Sequence, residues 1–130
     1  MESFSISTPG KCALLDITDK VARIVAQSSV VNGLAVVFVP HTTAGVTINE
    51  NADPSVVDDM LGHLARAVPE SARYTHAEGN SPAHVKASMM GSSVTVIVEN
   101  SRLALGTWQG IYLCEFDGPR TRRVMVRVAG

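Results

Sequence analysis

Histidine is the side chain with the most chemistry to offer here, and three of the four histidines sit in stretches too polar for their surroundings. His41 opens the run His41-Thr42-Thr43-Ala44-Gly45-Val46-Thr47-Ile48-Asn49-Glu50-Asn51, straight after an apolar segment. His76 and His84 bracket the run His76-Ala77-Glu78-Gly79-Asn80-Ser81-Pro82-Ala83-His84. Imidazole is the commonest metal ligand and the usual general base near neutral pH. Three imidazoles closing on zinc would leave a fourth position for water or substrate. The spacing matches neither H-E-x-x-H nor a pattern of two cysteines and two histidines. Three separate histidines, each satisfied by backbone or solvent, therefore stand as the alternative. The fourth, His63, falls on the polar side of a helix.

The second run also suits an anion. Backbone N–H groups at a helix start near Pro82 lack partners, and Asn80, Ser81 and Lys86 lie beside them. Simple capping by Ser81 is the other reading. A third polar stretch, Leu105-Gly106-Thr107-Trp108-Gln109-Gly110, precedes Cys114-Glu115-Phe116-Asp117-Gly118-Pro119-Arg120. Arg120 and Arg122 flank that turn, where either a phosphate within reach or plain solvation would account for them. In a strand Arg123 and Arg127 share one face and Val124, Val126 and Val128 the other, which fits a solvated outer face. No aromatic residues interleave with these arginines to stack on bases. Trp108, the only tryptophan, is expected to anchor the core. Gly10-Lys11 is not a phosphate loop, because Ser5 and Cys12 stand at its diagnostic positions.

The elements that must hold these groups are readable from apolar spacing. Phe4 to Thr8 alternates like a half-buried strand ended by Pro9-Gly10. Ile17, Val21, Ile24 and Val25 recur at helical spacing, capped by Asp16 or Thr18. Leu34 to Val39 is a compact β-branched run expected to be a strand buried on both faces, and Ala44 to Ile48 a second short strand. Asp53-Pro54 starts a helix striped by Val57, Met60, Leu61, Leu64 and Val68, with Asp58 and Asp59 near its positive end. Ser81-Pro82 starts a shorter helix ending at Gly91. Strands follow at Val94 to Val98, Leu103 to Leu105, Ile111 to Phe116 and Val124 to Val128, with a turn at Asp117-Gly118-Pro119. Helices in the middle and strands at both ends give an α+β fold in one domain spanning 1–130.

Composition sets the outer bounds. The 130 residues are 45% hydrophobic and 18% charged, enough apolar surface to fold. The net charge of −1 gives no global case for nucleic acid or anionic membrane. The longest apolar run is too short to span a bilayer, and the N-terminus lacks a secretory pattern, so a cytoplasmic protein is expected. Cys12 and Cys114 are expected to be reduced and buried.

The three polar stretches, in this order, resemble the YjbQ family (UPF0047), whose segments read approximately H-T-T-A-x-V-T-I-N-E-N-A-D-P, H-x-E-G-N-x-x-A-H, and G-T-W-Q-x-I followed by C-E-F-D-G-P-R. The resemblance covers essentially the whole chain. It implies a β-sandwich of two mainly antiparallel sheets with about three helices, assembled as a homotrimer. It also implies a polar pocket holding His41, Thr42, Asn49, Glu50, His76, Glu78, Asn80, Ser81 and His84. The activity it brings is that of a thiamine-phosphate synthase, a secondary activity joining an aminopyrimidine diphosphate to a thiazole phosphate. On that scheme Asn80, Ser81, Lys86 and Arg120 hold phosphates and Glu50 or Glu78 serves magnesium. Magnesium prefers oxygen ligands, whereas His41, His76 and His84 suit zinc, so zinc is the expected divalent metal. The alternatives are a metal-dependent hydrolase, with Glu78 or Glu50 as base, and a non-catalytic trimeric module binding a small molecule or metal. Two positions depart from the family pattern: Ser101 replaces a glycine, and Gly45 replaces a frequent alanine.

Overall fold

The computed structural model describes residues 1–130, and its strands form two antiparallel sheets packed face to face. The five-stranded sheet runs β1 (Glu2–Ser7), β8 (Thr121–Ala129), β3 (Gly33–Phe38), β5 (Ser93–Glu99) and β6 (Arg102–Leu103). The three-stranded sheet runs β2 (Ala13–Asp16), β7 (Gln109–Glu115) and β4 (Ala44–Glu50). Val37, Val96, Val124 and Val126 from the first sheet meet Val46, Ile111 and Leu113 from the second in one core, which Ile17 and Val21 also enter. The sandwich is therefore held by burial of β-branched and leucine side chains between the sheets.

Three helices complete the fold. At the start of α1 (Thr18–Gln27), Asp16 accepts from the Thr18 N–H at 2.9 Å, and the helix buries Val21 and Val25 against the sheets. In α2 (Pro54–Ala67), the Asp53 carboxylate caps the Ser55 N–H at 2.9 Å and proline takes the first turn, as the sequence grammar predicts. The third, α3 (Ser81–Met90), ends at Gly91, whose φ of 94° favours glycine. Leu64 of α2 and Ala83 and Ala87 of α3 cover Tyr112, Cys114 and Phe116 on the outer face of the small sheet.

Burial falls differently on two strands than the sequence pattern suggests. The strand buried on both faces is β7, with helices on one side and the large sheet on the other. β3 instead alternates, burying Ala35, Val37 and Val39 while Leu34, Val36 and Phe38 are exposed. Its register sets those three beside Ile97 and Met125, making an uncovered apolar patch on the outer face of the large sheet. Exposed Arg123 and Arg127 lie on that same face of β8. β2 carries no clear alternation in sequence and is recruited by pairing with β7. Trp108 is 63% exposed rather than a core anchor, and Cys12 is exposed while Cys114 is buried. No helix is long and apolar enough to cross a membrane.

The sheets are also tied by charge. Glu115, the last residue of β7, and Arg122, near the start of β8, both point between the sheets and are almost completely buried. Arg122 donates through Nε to Glu115 Oε1 at 2.9 Å and through its terminal nitrogen to Oε2. The remaining lone pairs of the carboxylate are met by Thr8 Oγ1 at 2.7 Å and by the Phe116 and Asp117 N–H groups, both at 3.0 Å. Arg122 also donates to Thr43 Oγ1 at 2.9 Å. Arg122 is thus a structural cation and does not reach the phosphate that its position beside the turn suggests. Burial pushes the Glu115 carboxyl up, but the hydrogen bonds from Arg122, Thr8 and Asp117 outweigh it and hold the pKa below the ordinary 4.5. Its contribution to stability is therefore complete above that value and is lost as pH falls through the lower folded value.

Replacing Arg122 with Met should strand a buried carboxylate and lower the unfolding free energy by about 3–5 kcal/mol in urea titrations at neutral pH. Adding Glu115→Gln should recover much of the loss. Equal stability of wild type and Arg122→Met would remove the pair from any account of the fold.

Candidate functional site

His41 leaves the end of β3 just where its ladder with β8 stops. Continuing the register would set Pro40 opposite Arg123, and the Arg123 N–H instead meets the imidazole of His41, which accepts at Nε2 over 2.8 Å. A nitrogen that accepts is unprotonated, so the neutral ring carries its proton on Nδ1. Burial lowers the His41 pKa from the ordinary 6.5, and the Arg122 guanidinium lowers it further, with Glu115 opposing. His41 is thereby held as a neutral imidazole chiefly by burial, with the Arg122 guanidinium adding to it.

Across a cleft of about 460 Å³ stands His84, in the first turn of α3; Thr42, Ser88 and Ser92 also line the space. His84 reaches into an adjoining cleft of about 470 Å³ lined by Arg73, Tyr74, Thr75, His76 and Ser81. There His76 meets it edge-on, with ring centroids 5.3 Å apart. Glu78 lies 3.8 Å from His76 Nε2. His41, Thr42, His76, Glu78, Ser81 and His84 therefore gather around two clefts that share one imidazole.

Gly45 explains how α3 comes so close to β4. A Cβ there would stand 2.6 Å from the Gly91 carbonyl oxygen and 3.2 Å from Met90 Cβ. Gly91 O accepts from the Val46 N–H at 3.0 Å, so the contact is a backbone hydrogen bond rather than loose packing. The glycine at this position tightens the join beside His41. Ser101, the other departure, adopts a left-handed φ of 63° itself, following Asn100 at 52°, a strained conformation for a serine.

Other predicted members lie elsewhere. Asn49 and Glu50 are at the far end of β4 from His41, roughly 20 Å away at about 3.3 Å per residue. The first motif runs the whole length of that strand, so within one chain its two polar ends cannot share a pocket. Lys86 is buried, its ammonium 3.6 Å from Cys12 Sγ and 5.3 Å from the Phe116 ring centre. Asn80 spends its amide donor on Asp117 Oδ2 at 3.0 Å, leaving its own Oδ1 buried without a partner. Arg120 pairs with the same Asp117 oxygen at 2.9 Å. Burial raises the Asp117 pKa, but Asn80 and Arg120 bring the net value below the ordinary 3.8. At the start of α3 the Ala83 and His84 N–H groups both turn to Asn80 O, and Pro82 has none. An anion here would meet the Ser81 side, where exposed Arg73 lines the same cleft, while Arg120 is held by two hydrogen bonds to Asp117 and would first have to leave them.

The donor set does not suit a three-imidazole metal centre as it stands. No three His, Cys, Asp or Glu side chains converge, and the accepting nitrogen of His41 is engaged by Arg123. His76 and His84 are near enough to offer two ligands. Residues that sequence reasoning missed are Thr8, Thr43 and Glu115, which position His41, and the cleft-lining Arg73, Tyr74 and Ser88. A signal was available for one of them: Glu115 occupies an inward position in an otherwise apolar strand, a place where an acid needs a buried partner.

Proton-detected titration should find the His41 imidazole ionising below pH 6.5. Because the unfolded chain binds that proton first, the stabilising contribution of His41 is complete above the ordinary histidine value and declines as pH falls beneath it. A His41 titration at or above 6.5 would contradict the neutral, Nε2-accepting ring.

Comparison with known proteins agrees with this architecture. A family model described as UPF0047 protein YjbQ-like matches residues 2–130. The chain is 48% identical over 127 residues to a UPF0047 protein of Methanocaldococcus jannaschii, covering 98% of this chain and 92% of that one. It is 48% identical over 131 residues to the UPF0047 protein YugU of Bacillus subtilis, covering 100% and 99%. A crystal structure of an uncharacterised YjbQ/UPF0047-family protein from Clostridium acetobutylicum superposes with a TM-score of 0.97 at 53% identity, over 99% of this chain and all of that one. A YbjQ-like protein of unknown function from Sulfolobus solfataricus superposes at 0.95 with 34% identity, over 99% and 95%. The chain therefore belongs to the YjbQ-like UPF0047 family.

Proposed function

We propose that the chain is an enzyme acting on a small phosphorylated molecule in the paired clefts between the β3–β4 connection and α3. The observation that carries this reading is that His84 lines both clefts, edge-on to His76 in one and across from His41 in the other. Proton transfer needs a titratable group within reach of either side of a substrate, and His84 has that position. His41, held neutral with its Nδ1 proton free, is suited to donate a hydrogen bond to a developing anion. Ser81 at the start of α3 and a released Arg120 suit a phosphate. The transfer type that the family resemblance implies, thiamine-phosphate synthesis as a weak secondary activity, is the reaction we assign first.

The test is product formation from the aminopyrimidine diphosphate and the thiazole phosphate. His84→Ala should lower kcat/KM by about a hundredfold or more. Glu50→Gln, at the far end of β4, should leave it within a few-fold of wild type. Wild-type activity in His84→Ala would remove the clefts as the reaction site. No product from wild type would sink the transferase reading, while a pyrophosphate-induced rise in Tm lost in Ser81→Ala with Arg120→Ala would keep the phosphate cleft.

A metal-dependent hydrolase is the second reading, favoured by the His76–His84 pair with Glu78 beside it. Stoichiometric zinc uptake that disappears in both His76→Ala and His84→Ala would support it. Uptake unaffected by either would exclude it.

We further propose that the exposed face of Leu34, Val36, Phe38, Ile97 and Met125 is covered by other copies of this chain, as in the homotrimer the resemblance implies. A patch of this kind in a sheet centre otherwise stays wet at a cost to solubility. Ile97→Lys with Val36→Lys should convert the oligomer to monomer in analytical ultracentrifugation. A wild type monomeric at micromolar concentration would overturn the assignment.

A further inference from the structure

Lys86 is the one lysine buried in the fold, 3% exposed, and it faces no carboxylate within salt-bridge distance. Lysine normally threads its ammonium to water when its stem is buried. Here the ammonium ends inside, beneath α3. Its one hydrogen-bond acceptor is Cys12 Sγ at 3.6 Å, and the face of Phe116 lies 5.3 Å away. A neutral thiol is a weak acceptor, and an aromatic face replaces only part of a lost hydration shell. A buried cation without an anion costs several kcal/mol. An anionic sulfur would satisfy it with a charge-assisted hydrogen bond.

Cys12 meets the requirements from its own side. It is exposed, in the short connection that follows Gly10 and precedes β2, so a reagent can reach it. Its competing use, donation to the Phe116 carbonyl oxygen, is at 4.0 Å and at the outer limit for sulfur. The second cysteine gives a built-in contrast: Cys114 is fully buried, and burial pushes its thiol up to about 12.

We propose that Cys12 is a thiol-modification site in which the Lys86 ammonium supplies the counter-charge, so that its sulfur attacks low-molecular-weight disulfides. In that exchange a Cys12–sulfur bond forms and the disulfide bond of the reagent breaks. The departing thiolate takes the electron pair and is protonated by solvent. No outside oxidant is needed, because the disulfide is itself reduced. The mixed disulfide takes from Lys86 the one sulfur that could serve it as a counter-anion, on the helix that carries His84. Modification would therefore act on α3, two residues from the shared imidazole of the clefts, without touching His84 itself.

The probe is glutathione disulfide, with adduct formation followed at fixed neutral pH by intact mass and by mapping of the two cysteines. Cys12 should form the adduct about tenfold faster than N-acetylcysteine under the same conditions, and Cys114 should stay unmodified. Lys86→Met should slow Cys12 about tenfold and Lys86→Arg should restore most of the rate. Uncharged iodoacetamide should show the same ordering, which separates a local counter-charge from attraction of an anionic reagent. Equal rates in wild type and folded Lys86→Met would overturn the proposal. If Lys86→Met does not fold, the wild-type comparison decides: a Cys12 no faster than N-acetylcysteine with both reagents ends it.

Discussion

The ion pair between Glu115 and Arg122 joins the end of β7 to the start of β8, and so fixes one sheet against the other at the rim where the clefts open. Apolar burial alone is non-directional and would tolerate a sliding of the sheets by a fraction of a residue. A bidentate guanidinium–carboxylate contact does not, since its two hydrogen bonds share one plane. Thr8 brings β1 to the carboxylate and Thr43 brings the approach to β4 to the guanidinium, so four segments depend on the same two charges. Such a pair is poor evidence of net stability, because desolvation offsets most of its attraction. What it supplies is position, and the group positioned is His41.

From that position the properties of the site follow in order. β8 starts where Arg122 is fixed, the next N–H is Arg123, and with Pro40 opposite it the ladder has no further strand bond to make. His41 takes that donor and becomes the last rung. A ring held through an accepting nitrogen cannot be an imidazolium, and the neighbouring guanidinium disfavours a second positive charge. His84 comes from α3 and His76 from the connection that precedes it. Gly45 permits the close join of α3 to β4 that brings them within a cleft's width of His41.

Much of this was legible in the sequence, and the failures have a common cause. The helix starts at Pro54 and Ser81 are legible because proline in the first turn is a local signal; Asp53 caps the first, whereas α3 starts after Asn80 with no side-chain cap, from Ser81 or any other residue. The family motifs contain His41, His76 and His84, and the fold brings the three to two adjoining clefts. Asn49 and Glu50 were grouped with them because they share a motif, but a motif written along a strand extends by about 3.3 Å per residue and separates its own ends. Leu34 to Val39 reads as doubly buried because an unbroken apolar run says that both faces avoid water, and not what covers them; in the fold only one face is covered by the chain itself. Lys86, Arg120 and Asn80 were counted as phosphate donors by type. Asn80 and Lys86 find their partners Asp117 and Cys12 at 37 and 74 residues' separation, a pairing only the fold reveals, while Arg120 pairs with Asp117 three residues before it.

The separation of the motif along β4 bears on what kind of site this is. One end of the strand opens on imidazoles, at the rim set by the ion pair. The other carries Glu50, whose backbone oxygen accepts from Tyr112 at 3.0 Å, and Asn51, which donates to Asp16 at 3.2 Å, with Trp108 exposed beside them. Burial raises the Tyr112 pKa, and Asp16 and Glu50 raise it further, so its hydroxyl remains a proton donor to that backbone oxygen across the neutral range. This far end is thus a hydrogen-bonded brace between β2, β4 and β7 in the single chain. The face between the two ends of the molecule on the large sheet is apolar and open, flanked by Arg123 and Arg127. Because Arg123 also supplies the N–H that holds His41, any copy docking on that face would press on the strand residue that sets the imidazole's tautomer. Arg123 thus belongs to both surfaces, its side chain to the open face of the large sheet and its backbone N–H to the His41 imidazole.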